Sequence, residues 1–133
     1  MGRTVHFEIQ ASEPQALIDF YGKMFDWSFS KWEGGEYWLV GTGEVGAPGI
    51  NGGLLPRRGP RPEEGASVNA FVCTVDVEDL DKSISLLKEL KGTVAVPRMP
   101  VSGVGWLAYA KDPDGNLFGM MQNDASASFE GGE

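Results

Sequence analysis

One cysteine and one histidine in 133 residues exclude several kinds of chemistry before any pattern is read. A lone Cys73 cannot close an internal disulfide or share a structural zinc with a second thiolate. Within the apolar run Phe71-Val72-Cys73-Thr74-Val75 it reads as a buried small hydrophobe, in keeping with a cytoplasmic protein. A lone His6 leaves no paired-histidine site, so acid–base chemistry near neutral pH rests on His6 or on a carboxylate with a raised pKa. No apolar run approaches the ~20 residues of a membrane span, and the N-terminus lacks a signal-like apolar segment. Basic residues are also few: 11 Lys and Arg stand against 19 Asp and Glu, a net charge of −8. That excess argues against nucleic acid or an anionic membrane as partner, since both require a basic face.

What the sequence does have is a repeat. Gly49-Ile50-Asn51-Gly52-Gly53-Leu54-Leu55 aligns without a gap on Gly115-Asn116-Leu117-Phe118-Gly119-Met120-Met121, a shift of 66 residues. Ile18, Phe20 and Met24 fall by the same shift on Ile84, Leu86 and Leu90. Two copies are too few for a solenoid and imply one domain, residues 1–133, made of paired modules.

Alternation of Val5, Phe7 and Ile9 against His6, Glu8 and Gln10 predicts a first strand with His6 and Glu8 on one face. Ser12 as cap and Pro14 in the first turn open a helix carrying Leu17, Phe20, Tyr21 and Met24. Strands at Trp27 to Ser30, Tyr37 to Val40 and Gly52 to Leu55 complete a βαβββ module over 4–55. Residues 56–67, rich in Pro, Gly, Arg and Glu, read as a linker loop and a candidate lid, with Arg57, Arg58 and Arg61 its basic cluster. The second module, 68–122, repeats the order: strand Val68 to Asp76, helix Leu80 to Leu90 stopped by Gly92, then strands Thr93 to Val96, Gly105 to Ala110 and Leu117 to Gln122. The last hairpin turns at Asp112-Pro113-Asp114-Gly115-Asn116. Residues 123–133 read as a flexible tail. Gly41-Thr42-Gly43-Glu44-Val45-Gly46 is only loosely like a dinucleotide fingerprint and, with Pro48 following, reads as a hairpin loop.

Phe20-Tyr21, Phe25-Asp26-Trp27 and the run from Asp112 to Gly119, in this order and with this duplication, resemble the vicinal oxygen chelate superfamily of glyoxalases, bleomycin resistance proteins and extradiol dioxygenases. The resemblance spans about Arg3 to Gln122 and is nearest to single-domain relatives of lactoylglutathione lyase. It implies an α+β fold of two tandem βαβββ modules whose mixed sheets curl into an open cup, and a homodimer. In metal-dependent members each module supplies one ligand from its first strand and one from its last. Those positions map here on His6, Gly53, Val72 and Gly119. Only His6 carries a donor, so no metal and no cofactor are expected. A one-residue bulge would instead turn Glu8, Asp76 or Gln122 inward, and only with that register is a divalent metal expected.

Family geometry and strand alternation line the expected pocket with His6, Glu8, Asn51, Gly53, Leu55, Val72, Thr74, Leu117, Gly119 and Met121. Trp38 or Tyr37 and Trp106 or Tyr109 lie nearby, with Trp38 and Trp106 preferred. The two glycines either leave room for a flat ligand or let strands pack closely. The resulting expectation is a protein that binds a small, largely apolar organic molecule. Its alternative is a lyase-related or dioxygenase-related enzyme, with a rebuilt metal site or with His6 as base and Glu8 beside it. A third reading is a scaffold whose function is dimer contact.

Overall fold

The computed structural model describes residues 2–129 and has the expected α+β composition, with eight strands and two helices. The chain divides into two compact units. The first is His6–Val72, and the second takes the described residues on either side of it.

The first unit holds β1 (Thr4–Ala11, from His6 onward), α1 (Pro14–Phe25), β2 (Ser28–Lys31), β3 (Trp38–Gly41) and β4 (Gly52–Pro56). Its strands lie in the order β2-β3-β4-β1. β1 and β4 are parallel, so a crossover must join them, and α1 with the β2–β3 hairpin supplies it. The alternation of β1 sends Phe7 and Ile9 into a core with Ala11, Val40 and Leu54. Leu17, Ile18 and Tyr21 of α1 pack on that core together with Trp27, Phe29 and Trp38. Pro14 occupies the first turn, but Glu13 takes the cap position without a side-chain bond. The expected cap, Ser12, instead accepts a hydrogen bond from Arg57 Nε at 3.2 Å. α1 stops at Asp26, whose φ of 60° is left-handed. The stretch expected as a linker is tied down at its start. Arg57 donates from its backbone N to the carbonyl of Ala11 at 2.8 Å and from Nη2 to that of Gln10 at 3.0 Å. Arg61 lies 3.6 Å from Glu13.

The second unit holds β5 (Val72–Asp76, from Cys73 onward), α2 (Leu80–Glu89), β6 (Thr93–Val101), β7 (Gly105–Lys111) and β8 (Leu117–Asn123), ordered β5-β8-β7-β6. Leu80, Trp106, Ala108, Ala110, Met120 and Ala127 form its core, with Ile84 and Leu87 of α2 packed on it. Asp79 caps α2 by accepting from Lys82 N at 3.1 Å. Gln122 Oε1 accepts from Leu80 N at 2.8 Å. The helix ends at Glu89, one residue short of the expected Leu90, with Lys91 at a φ of 70° and Gly92 N donating to Leu87 O.

Four expectations are corrected here. β5 begins at Val72, not at Val68, which is fully exposed. Cys73 is exposed, because alternation gives the covered side of the strand to Thr74. β6 runs on to Val101 through Pro97 and Pro100, which an edge strand with register shifts tolerates. The segment expected to be a flexible tail starts as the last residue of β8. It then turns at Asp124, whose carboxylate accepts from Ser126 N and Oγ, and buries Ala127. Glu130 to Glu133 lie outside the described residues.

Candidate functional site

Strand register gathers the polar residues of the first unit. In the β1–β4 pairing Glu8 stands beside Gly53, and in the β3–β4 pairing Leu39 stands on the other side of Gly53. His6 lies two residues before Glu8, and Tyr37 two residues before Leu39, so all four share one face of the sheet. Tyr37 reaches diagonally across it. His6 Nε2 is 2.8 Å from the Tyr37 hydroxyl, which donates to Glu8 Oε2 at 3.0 Å. With that proton committed to Glu8, His6 is the donor to the tyrosine oxygen. The result is a chain of hydrogen bonds from imidazole through phenol to a carboxylate that is 8% exposed.

Gly53 is what allows this. A Cβ built on it would overlap the Oη, Cζ and Cε1 atoms of Tyr37. Of the two readings offered for this glycine, close packing is the one the first unit realises: the tyrosine ring fills the space. Trp32 meets the same ring edge-on, with centroids 6.3 Å apart. Trp38, preferred from the sequence as the pocket aromatic, pairs with Leu54 and packs on the core instead. Asn51 is exposed and staples the β3–β4 loop, accepting from Thr42 N at 2.9 Å. Leu55 is half-buried on β4 and pairs with Gln10.

The second unit has a counterpart without the acid–base residues. Thr74 and Gly119 pair across β5 and β8, and Tyr109 pairs with Gly119 across β7 and β8. A Cβ on Gly119 would lie 3.0 Å from Thr74 Oγ1 and 3.3 Å from Tyr109 Cε1. Trp106, preferred over Tyr109 from the sequence, is a core residue. Its Nε1 donates to Asp124 at 3.1 Å, and Arg98 lies 4.2 Å over its ring. Met121 and Val72 are half-buried and Leu117 is exposed. The acidic and amide substitutes considered for a metal are engaged elsewhere: Asp76 accepts from Arg3 N at 2.8 Å, and Gln122 caps α2. The turn that leads into β8 is fixed by Asp112. Its carboxyl is held below the usual range first by the Asn116 side chain, then by backbone N–H groups. Among the described residues no three His, Cys, Asp or Glu side chains converge as a metal-binding group.

Burial pushes the His6 pKa below its ordinary 6.5, and the Glu8 carboxylate opposes this with a smaller upward pull. The imidazole is therefore neutral at pH 7. Between 6.5 and the lowered native value the unfolded chain binds more protons than the folded one, so stability falls as pH drops through that window and levels off below it. His6→Gln should flatten this part of a thermal-midpoint profile measured from pH 7.5 to 5. An unchanged profile would show that His6 is not the group responsible.

Two βαβββ units with a histidine on the first strand and glycines on both last strands define a class of protein, and comparison names it. The Glyoxalase/Bleomycin resistance protein/Dioxygenase superfamily profile matches residues 3–120, and the chain belongs to that superfamily. No curated protein matches the sequence. A superfamily member from Vibrio splendidus 12B01 aligns over 93% of this chain and 100% of its own, at 15% identity and a TM-score of 0.62. A hypothetical protein from Bacillus halodurans C-125 aligns over 96% and 98%, at 13% identity and 0.62. Streptomyces coelicolor methylmalonyl-CoA epimerase, in complex with 2-nitronate-propionyl-CoA, aligns over 95% and 97%, at 16% identity and 0.59. At such identities the likeness is one of fold. Among the described residues no helix is long and apolar enough to cross a membrane.

Proposed function

We propose that this chain is a metal-independent member of its superfamily that binds a small, largely apolar organic molecule, with His6 and Glu8, bridged by Tyr37 in the free protein, as the polar groups that orient it. The observation that carries this reading is the Tyr37 phenol lying where a side chain at position 53 would begin. A ligand residue growing from that position meets the ring, and the one imidazole among the four family positions is already bonded to it. Glycine at 53 and 119 and valine at 72 offer no donor, so the residues present do not fit the family's metal. The remaining expectations, a homodimer in the cytoplasm with no nucleic acid or membrane as partner, belong to the same proposal.

A second reading is favoured by one feature of the same geometry. A neutral imidazole linked through a hydroxyl to a buried carboxylate is a competent proton path, so a metal-free enzyme with His6 as base uses the same residues. The epimerase neighbour lends it no reaction, because only the fold is shared.

Metal analysis of chelator-free protein, with thermal midpoints in Zn, Mn, Ni and Fe salts, tests the main reading. A native-state site at 100 times its Kd adds about 2.7 kcal/mol, a shift of several degrees. No bound metal and no shift are expected. A stoichiometric metal that disappears in His6→Ala would overturn the reading.

A further inference from the structure

We propose that the ligand held at His6 and Glu8 is a phenol, whose ring and hydroxyl take over the position that Tyr37 fills in the free protein. This rests on the binding function argued above and names the class of its ligand. Three features of the Tyr37 contact define what can replace it.

The first is hydrogen-bond polarity. The group between the two residues accepts from His6 Nε2 and donates to Glu8 Oε2. A hydroxyl does both. A ketone or ether oxygen accepts but cannot donate, an ammonium donates but cannot accept, and a carboxylate sets like charge against Glu8. The second is shape. The edge of the Tyr37 ring lies directly on the Gly53 backbone, and Trp32 closes against the ring at 76°. A flat ring fills that slot, whereas an aliphatic alcohol forfeits both the contact with the strand and the edge-on aromatic pair. The third is burial. Glu8 is 8% exposed, so withdrawal of the Tyr37 hydroxyl removes a donor from a carboxylate largely shielded from water. A ligand that brings its own hydroxyl restores that bond, and one that is only apolar does not.

Tyr37 can leave without disturbing the hairpin. Its backbone is tied by Trp32 N donating to its carbonyl at 2.8 Å and by its own N donating to Gly35 O at 2.9 Å. Rotation about the Cα–Cβ bond swings the ring away while both bonds persist. Because Tyr37 is tethered beside the slot it competes at high effective concentration, so the free protein is occupied by its own residue.

The test uses p-cresol as probe and toluene as its hydroxyl-free control, titrated calorimetrically into wild type and Tyr37→Ala. Tyr37→Ala is expected to bind p-cresol at least tenfold more tightly than it binds toluene, and more tightly than wild type binds p-cresol. Equal affinity for the two probes would overturn the phenol assignment while leaving a general apolar binding function in place. Binding of neither by the folded variant also overturns the assignment, and thermal shifts of wild type by other apolar compounds then decide separately whether the binding function stands. Should Tyr37→Ala fail to fold, the ring protons of His6 serve instead, because the only histidine in the chain gives one set of imidazole signals. A saturable shift of these signals in wild type with p-cresol and not with toluene supports the proposal. No shift at p-cresol saturation overturns it.

Discussion

Gly52→Ala should destabilise the protein by about 3 kcal/mol and lower its thermal midpoint by roughly 10 °C, while Gly53→Ala, one residue on, should cost only about 1–2 kcal/mol. Both glycines are buried on β4, but the obstacles differ in kind. A Cβ on Gly52 meets the Phe7 carbonyl oxygen and the Phe7 ring. Phe7 is the register partner of Gly52 in the parallel β1–β4 pair, and its ring belongs to the core, so neither can withdraw without opening the strands. The atoms nearest a Cβ on Gly53 belong to the far end of Tyr37, which rotates away at the loss of its hydrogen bonds to His6 and Glu8. The two variants should also differ in spectroscopy. Gly53→Ala moves the imidazole signals of His6 in a protein that stays folded. Denaturant unfolding of both variants decides the matter, and a Gly53→Ala cost equal to or above that of Gly52→Ala would refute the distinction.

Leu80→Ala carries the other large effect, about 3 kcal/mol within the 2–5 kcal/mol usual for a buried leucine. Leu80 is 0% exposed and is the first residue of α2, where its side chain belongs to a core with Trp106, Ala108, Ala110, Met120 and Ala127. Truncation leaves a cavity under the helix start and removes support from Ala127. The carbonyl of Ala127 accepts from Gly103 N at 3.0 Å, so amide exchange at Gly103 should accelerate more than denaturation alone predicts. Exchange at Gly103 that tracks global stability would show that the segment after β8 is held independently of Leu80.

How much of this could be read from the sequence depends on the distance over which the information travels. Alternation within β1 placed His6 and Glu8 on one face and Phe7 and Ile9 on the other, because a strand's period is local. The 66-residue shift located both helices and both glycine-bearing last strands, because copied modules repeat their turns. The choice between Tyr37 and Trp38 was different. It turns on which of them shares a face with Gly53, and this is fixed by the pairing of Leu39 with Gly53 across a loop of about ten residues. No local pattern sets that register. The same parity selects Tyr109 over Trp106, through its pairing with Gly119. The end of the chain misled for another reason. Up to Phe129, where the described residues end, its Ser and Asp look unstructured, but the Asp124 carboxylate binds the turn that follows it and Ala127 is buried in the core.

The contact between Tyr37 and Gly53 also constrains how the sequence can change over time. Glycine at 53 and tyrosine at 37 form a linked pair: enlarging the first while the second stays costs stability and breaks the bonds to His6 and Glu8 at once. Coupling of this kind is read from a double-mutant cycle: Tyr37→Ala and Gly53→Ala together should cost less than the sum of the two made singly, because the ring that obstructs the new methyl group is gone.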